Sequence, residues 1–146
     1  LVKQALAAVG INAILEAYDF AGYVKTVYTD GAFDLNAATH VNLFDPSVGV
    51  QRIYWSGNIK KGVAFSNASN YSNPRVDALF EAAAVELDVE KRRQQLFEFQ
   101  AIVHEELPIV NFLAVNNITV SRDDIRNHTL SEYGTIDNFA ETFIHK

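Results

Sequence analysis

The chain contains no cysteine and no methionine. The first absence excludes disulfides, thiolate metal sites and thiol nucleophiles, while leaving the compartment open. Proline occurs three times and tryptophan once in 146 residues, with no repeat, low-complexity tract or linker. No stretch approaches the roughly 20 apolar residues that span a bilayer, and no signal-peptide pattern is visible. Positive charge is scarce: 12 Lys and Arg stand against 18 Asp and Glu, a formal net charge of −6. That balance argues against nucleic acid or an anionic membrane as partner, because phosphate binding needs a basic surface. Motifs for catalysis are missing too. Ser66, Ser69 and Ser72 lack a Gly-x-Ser-x-Gly elbow, the histidines form no HxxxH or HExxH spacing, and Gly57 to Gly62 has its glycines and lysines in the wrong order for a phosphate loop.

What is present suffices for a core: 49% of the residues are hydrophobic, and the length is that of a single domain. The clearest local signal runs from Asn70 to Val110. Asn73 can cap a helix whose first position is Pro74, where the missing N–H has no intrahelical partner to lose. Val76, Leu79, Phe80, Ala83 and Leu87 then fall on one face of a 3.6-residue period. Asp88 is a second N-cap, Glu90 suits the positive helix end, and Leu96, Phe99, Val103 and Leu107 form the next stripe until Pro108 stops it. Two helices meeting at a tight corner near Asp88 are therefore expected, followed by a buried strand over Ile109 to Val115.

Upstream, Leu1 to Val9 reads as a helix stopped by Gly10, Ile11 to Tyr18 as a strand, and Phe20 to Tyr28 as a helix ending before the Asp30-Gly31 turn. Phe33, Leu35 and Ala37 suggest a further strand, Thr39 to Pro46 a loop, and Val48 to Trp55 a short helix. Gly62 to Ser72 reads as irregular surface. Ile118 to Val120 and Phe139 to Ile144 supply short strands, with turns at Arg122 to Asp124 and Tyr133-Gly134. This order favours an α/β fold, a mixed sheet flanked by helices. The start, which resembles the middle of an amphipathic helix, suggests a piece of a longer protein.

Several segments occur in the order found in one receptor class: Leu6 to Asn12, Gly31 to Leu35, Asn42 to Pro46, Tyr71-Ser72-Asn73-Pro74-Arg75-Val76-Asp77, Asp88 to Arg92 and Glu105 to Val110. Together they make the chain resemble the C-terminal lobe of a periplasmic solute-binding protein of the peptide/nickel class (family 5), which serves ABC importers. The resemblance implies part of a two-lobed, type II-like binding protein, spanning residues 1–146 as one lobe fragment. It also implies no enzymatic activity and no cofactor. The implied partners are a peptide or similar small solute, the ABC permease membrane subunits and the N-terminal lobe of the same protein, and the implied location is periplasmic.

Function is argued from sites, and in open α/β sheets ligands bind where loops converge beyond strand ends. The loop Thr39-His40-Val41-Asn42-Leu43-Phe44-Asp45-Pro46 is the first candidate. In the class it resembles, an aromatic residue and an acidic residue that pairs with a peptide ammonium stand where this chain has Thr39 and Asn42. A neutral amide leaves such an ammonium without a compensating charge, which opens the ligand to sugars, opines, amides and other small solutes. Asp45 either restores the charge or forms a turn with Pro46. A second patch joins Tyr54 and Trp55 with Phe65, Asn67, Asn70 and Tyr71, offering aromatic faces and side-chain amides. Against that, Trp55 also suits a core anchor, and Asn70 and Tyr71 also suit organisation of the loop before the Asn73 cap. Two other classes compete: a hydrolytic or metal-dependent enzyme domain using His40 and Asp45, with His104 as a further metal ligand, and a structural interaction domain with no ligand.

Overall fold

The computed structural model describes residues 1–116, 118–128 and 139–145. The chain falls into two compact units, Leu1–Val110 and Asn111–Lys146.

The first unit is built around the helices whose caps are legible in sequence. Helices α1 (Val2–Ala8), α2 (Phe20–Tyr23) and α3 (Gln51–Tyr54) are short, and α4 (Pro74–Val85) and α5 (Val89–Glu106) are long. The Asn73 side chain accepts from the backbone N–H of Arg75 at 2.9 Å and of Val76 at 3.4 Å, and Asp88 accepts from Glu90 at 2.9 Å and Lys91 at 3.1 Å. Orphan donors at both helix starts are thereby satisfied. Val76, Leu79, Phe80 and Ala83 bury the predicted face of α4. Phe80 is fully buried, with its ring 4.4 Å from that of Phe99 on α5, and Tyr54 of α3 meets Phe99 edge-on at 5.2 Å. Val50, Ile53, Trp55, Tyr71, Leu96 and Ile109 pack around this cluster.

Leu87 departs from its expected place. The helix ends at Glu86, whose extended backbone (ψ 123°) breaks the periodicity, and Leu87 is left 95% exposed. Leu107 is half exposed in a left-handed conformation (φ 48°) that closes α5 ahead of Pro108.

Gly10 stops α1 with φ +84°, as expected. The helix beginning at Phe20 continues beyond α2 as a π-helical stretch, Val24–Asp30, ending at left-handed Gly31. Its wider turn aligns residues five apart, and Tyr23 meets Tyr28 edge-on at 5.8 Å. Val27 and Tyr28 are the buried residues of this stretch.

The runs expected as strands carry no ladder here. Ile11–Tyr18 and Phe33–Ala37 lie outside any strand, with Ile11, Ile14, Leu15 and Leu35 exposed. Ile109 joins the core cluster, but Val110 is exposed and no strand forms through Val115. A β-prone run needs a neighbouring strand to become one, and among the described residues these runs have none. The segment Gly62–Ser72 is irregular, as expected, yet Ser66 and Asn67 within it are buried.

In the second unit, β1 (Ile125–Arg126) pairs antiparallel with β2 (Phe143–Ile144), in the register Ile125 to Ile144 and Arg126 to Phe143. The Arg122–Asp124 turn leads into β1, through an Ile125 N–H to Arg122 carbonyl bond of 3.2 Å. Ile118–Val120 lies outside the ladder with Ile118 and Val120 exposed, and β2 falls inside the run expected from Phe139. The Tyr133-Gly134 turn lies outside the described residues.

Candidate functional site

The loop before α3 is organised by Asp45. Its carboxylate accepts from the Ser47 N–H at 2.8 Å, and its carbonyl accepts from Val48 and Gly49. This turn folds back tightly: a Cβ on Gly49 would lie 1.8 Å from the Asn42 carbonyl oxygen, so only glycine fits. Arg92 of α5 then clamps the turn, reaching both Asp45 oxygens at 2.6 and 2.8 Å and the Ser47 hydroxyl at 3.1 Å. The Arg92 Nε also donates to the Ala83 carbonyl at the end of α4, at 2.8 Å. The Arg92 hydrogen bond, followed by that of Ser47, holds the Asp45 carboxyl below its usual range. Its charge is thus committed within the protein, and the turn reading of Asp45 has the geometry.

Asn42 and Thr39 are exposed, and the Val41 carbonyl between them accepts from Arg52 at 3.3 Å. His40 is half-buried and points elsewhere, lining a cleft of about 50 Å³ with Tyr28, Asn36, Ile53, Ser66 and Ser69. The His40 ring meets the Phe65 ring edge-on at 6.1 Å, the Arg52 guanidinium lies over that same ring at 5.7 Å, and Phe20 stacks on it at 6.0 Å. Burial, then the nearby Arg52 charge, pushes the His40 imidazole below its ordinary value. His40 Nδ1 and Arg52 Nε are buried without hydrogen-bond partners.

The second patch is largely scaffold. Tyr54 belongs to the core cluster. Trp55 donates from Nε1 to Glu81 at 3.3 Å and lies over Gly57, where a Cβ would approach its ring to 2.5 Å. Asn67, almost fully buried, holds the patch together: its amide donates to the Trp55 and Tyr71 carbonyls at 3.2 and 2.8 Å, and its oxygen accepts from the Tyr71 N–H and the Ser69 hydroxyl. Asn70 is exposed in a left-handed turn (φ 54°). The Tyr71 hydroxyl donates to Glu106 at the end of α5, and the Asn73 amide donates to the other Glu106 oxygen at 2.8 Å. Burial and the Glu106 contact push the Tyr71 hydroxyl up to about 12, while Tyr71 and Asn73 lower Glu106.

The fold therefore separates what sequence proximity had joined. His40 and Asp45 share no hydrogen bond, and Asp45 is engaged by Arg92 and Ser47 instead. His104 is exposed in the last turn of α5, and among the described residues no cluster of three or more His, Asp or Glu could hold a metal. Arg52, Asn36 and Tyr28 were not legible as site residues, because nothing in their spacing announces the cleft. Phe65 was marked by its aromatic ring, but not as the platform shared by His40 and Arg52.

No family model matches the chain, and neither does any curated protein or solved structure. No helix among the described residues is long and apolar enough to cross a membrane.

Proposed function

We propose that the chain is a ligand-binding lobe of a periplasmic solute-binding protein of the peptide/nickel class, with an α/β architecture completed by further strands. Such a receptor captures a peptide or other small solute between two lobes, closes by hinge motion and delivers it to an ABC permease. Capture needs no covalent step and no cofactor, and the energy for transport comes from the importer's ATPase.

The observation that carries this reading is the ordered set of class-like segments, with Asn73 and Asp88 each capping a helix and Asp45-Pro46 forming a turn fastened to α5. The enzyme reading draws less support, since Asp45 is engaged by Arg92 and His40 lacks a carboxylate to orient it. The interaction-domain reading is favoured by no particular contact.

A thermal-shift screen of the full-length protein against peptides, sugars, amino acids and amides, with product analysis of each hit, tests the proposal. A ligand-dependent rise in melting temperature with the ligand recovered unchanged is expected. Turnover of the stabilising compound sinks it.

A further inference from the structure

The cleft beside His40 has a polar lining with no acidic residue among the described residues. Asn36 and Ser66 contribute an amide and a hydroxyl, the Ser69 hydroxyl being engaged by Asn67, and among the described residues no Asp or Glu lines it, although acidic residues outnumber basic ones along the chain. The Ser66 hydroxyl is held only by a 3.3 Å bond to the Lys60 carbonyl. Arg52 sits next to the cleft rather than in its lining, on the Phe65 ring that His40 also touches. Its guanidinium takes part in none of the ion pairs among the described residues, where its one hydrogen bond is the long contact to the Val41 carbonyl.

A half-buried guanidinium normally finds a carboxylate or a full set of acceptors, because removing it from water is costly otherwise. Here Arg52 Nε and the neighbouring His40 Nδ1 are both buried and unpartnered. Phe65, the residue that joins them, is held at φ 61°, a conformation that costs a bulky side chain energy and clusters at ligand-holding sites. An unpartnered His40 nitrogen on a lining residue, an unpartnered Arg52 nitrogen on the neighbouring guanidinium and a strained aromatic ring between them lie at a cleft with no acidic residue in its lining among the described residues.

We propose that this cleft receives the carboxylate of a small solute, with Arg52 supplying the charge and His40 a directed hydrogen bond. The inference rests on the solute-receptor reading and narrows its ligand to acids. A carboxylate in the cleft can accept from His40 carrying its proton on Nδ1, while the Arg52 guanidinium beside the cleft supplies the compensating positive charge. The cleft's volume suits the carboxyl end and an adjoining carbon, leaving the remainder of the solute outside. Among the described residues no Asp or Glu lines the cleft, and the charged group beside His40 is Arg52. The bound carboxylate thereby places a negative charge beside the imidazole.

The test uses the full-length protein with carbon-13-labelled histidine, the His40 ring signal being assigned by its loss in His40→Gln. Propionate, its neutral isostere propionamide and an amino-blocked dialanine with a free carboxylate are titrated separately. Saturable movement of the His40 signal by propionate or by the blocked dialanine, with a rise in the His40 pKa on saturation, is expected; which acid acts tells a free acid from a peptide terminus. Arg52→Gln, checked for folding by its unchanged remaining histidine signals, should weaken the acid by roughly tenfold or more. Equal response to propionamide, no response to either acid, or undiminished binding in folded Arg52→Gln overturns the proposal. A full-length protein that binds only neutral solutes overturns this assignment and leaves the receptor reading standing, whereas turnover of a bound acid removes the receptor reading and leaves the carboxylate site.

Discussion

Single residues show how polar groups in this chain divide between holding the fold and remaining available. Asn67 is of the first kind: all its side-chain capacity faces the backbone of Trp55 and Tyr71 or the Ser69 hydroxyl. Truncating it strands several buried groups, so Asn67→Ala is expected to lower stability by about 3 kcal/mol in denaturant unfolding. His40 is of the second kind. Burial holds its folded pKa below the ordinary 6.5, so the unfolded chain takes up a proton first as pH falls. Its contribution to stability is full above about 6.5 and is lost as pH drops through the folded value. An NMR titration is expected to place His40 below the ordinary imidazole value, and His40→Gln is expected to flatten the stability profile in that window. Asp45 was ambiguous from sequence because an Asp-Pro step serves a turn or a ligand equally. Only the arrival of Arg92, 47 positions later, decides how its charge is used.

At the scale of elements, what was legible is local and what was not is non-local. The caps of α4 and α5 are written within three residues of each helix start, and the buried stripe follows from period alone. Asp88→Ala is expected to cost about 1 kcal/mol, whereas Leu87→Ala, at an exposed position beyond the helix end, should stay within about 0.5 kcal/mol; paired urea melts measure both. Had α4 continued through Leu87, that second substitution would be costly. The strand expectations for Ile11–Tyr18, Phe33–Ala37 and Ile109–Val115 came from β-propensity, which marks a run as fit for a sheet without supplying its neighbour. The π-helical stretch Val24–Asp30 was illegible for a related reason: its 20–28 apolar spacing fits an ordinary helix, and the wider turn shows only in its hydrogen bonding, as in the Gly31 N–H to Thr26 carbonyl bond. The candidate cleft combines the two cases. His40 stood out as a residue type, while Tyr28, Asn36 and Ser66 line the cleft and Arg52 flanks it from separate segments that no spacing rule connects.

At the scale of the molecule, the first unit holds the aromatic core and the candidate cleft, and the second holds the small antiparallel ladder. Both carry large apolar residues in the open: Ile11, Ile14 and Leu15 in the first, and Phe112, Leu113, Val115, Ile118 and Val120 in the second. Exposure on this scale suits a chain that adds strands and a second lobe, as the proposed receptor does. It raises an expectation for ligand binding, since a site built against a second lobe gains affinity on closure. The most direct measurement is isothermal titration of the full-length protein with the best stabiliser from the thermal screen, followed by mass spectrometry of the recovered compound. Saturable one-to-one binding with the compound returned intact is the predicted result. Conversion of the compound to product would contradict the account.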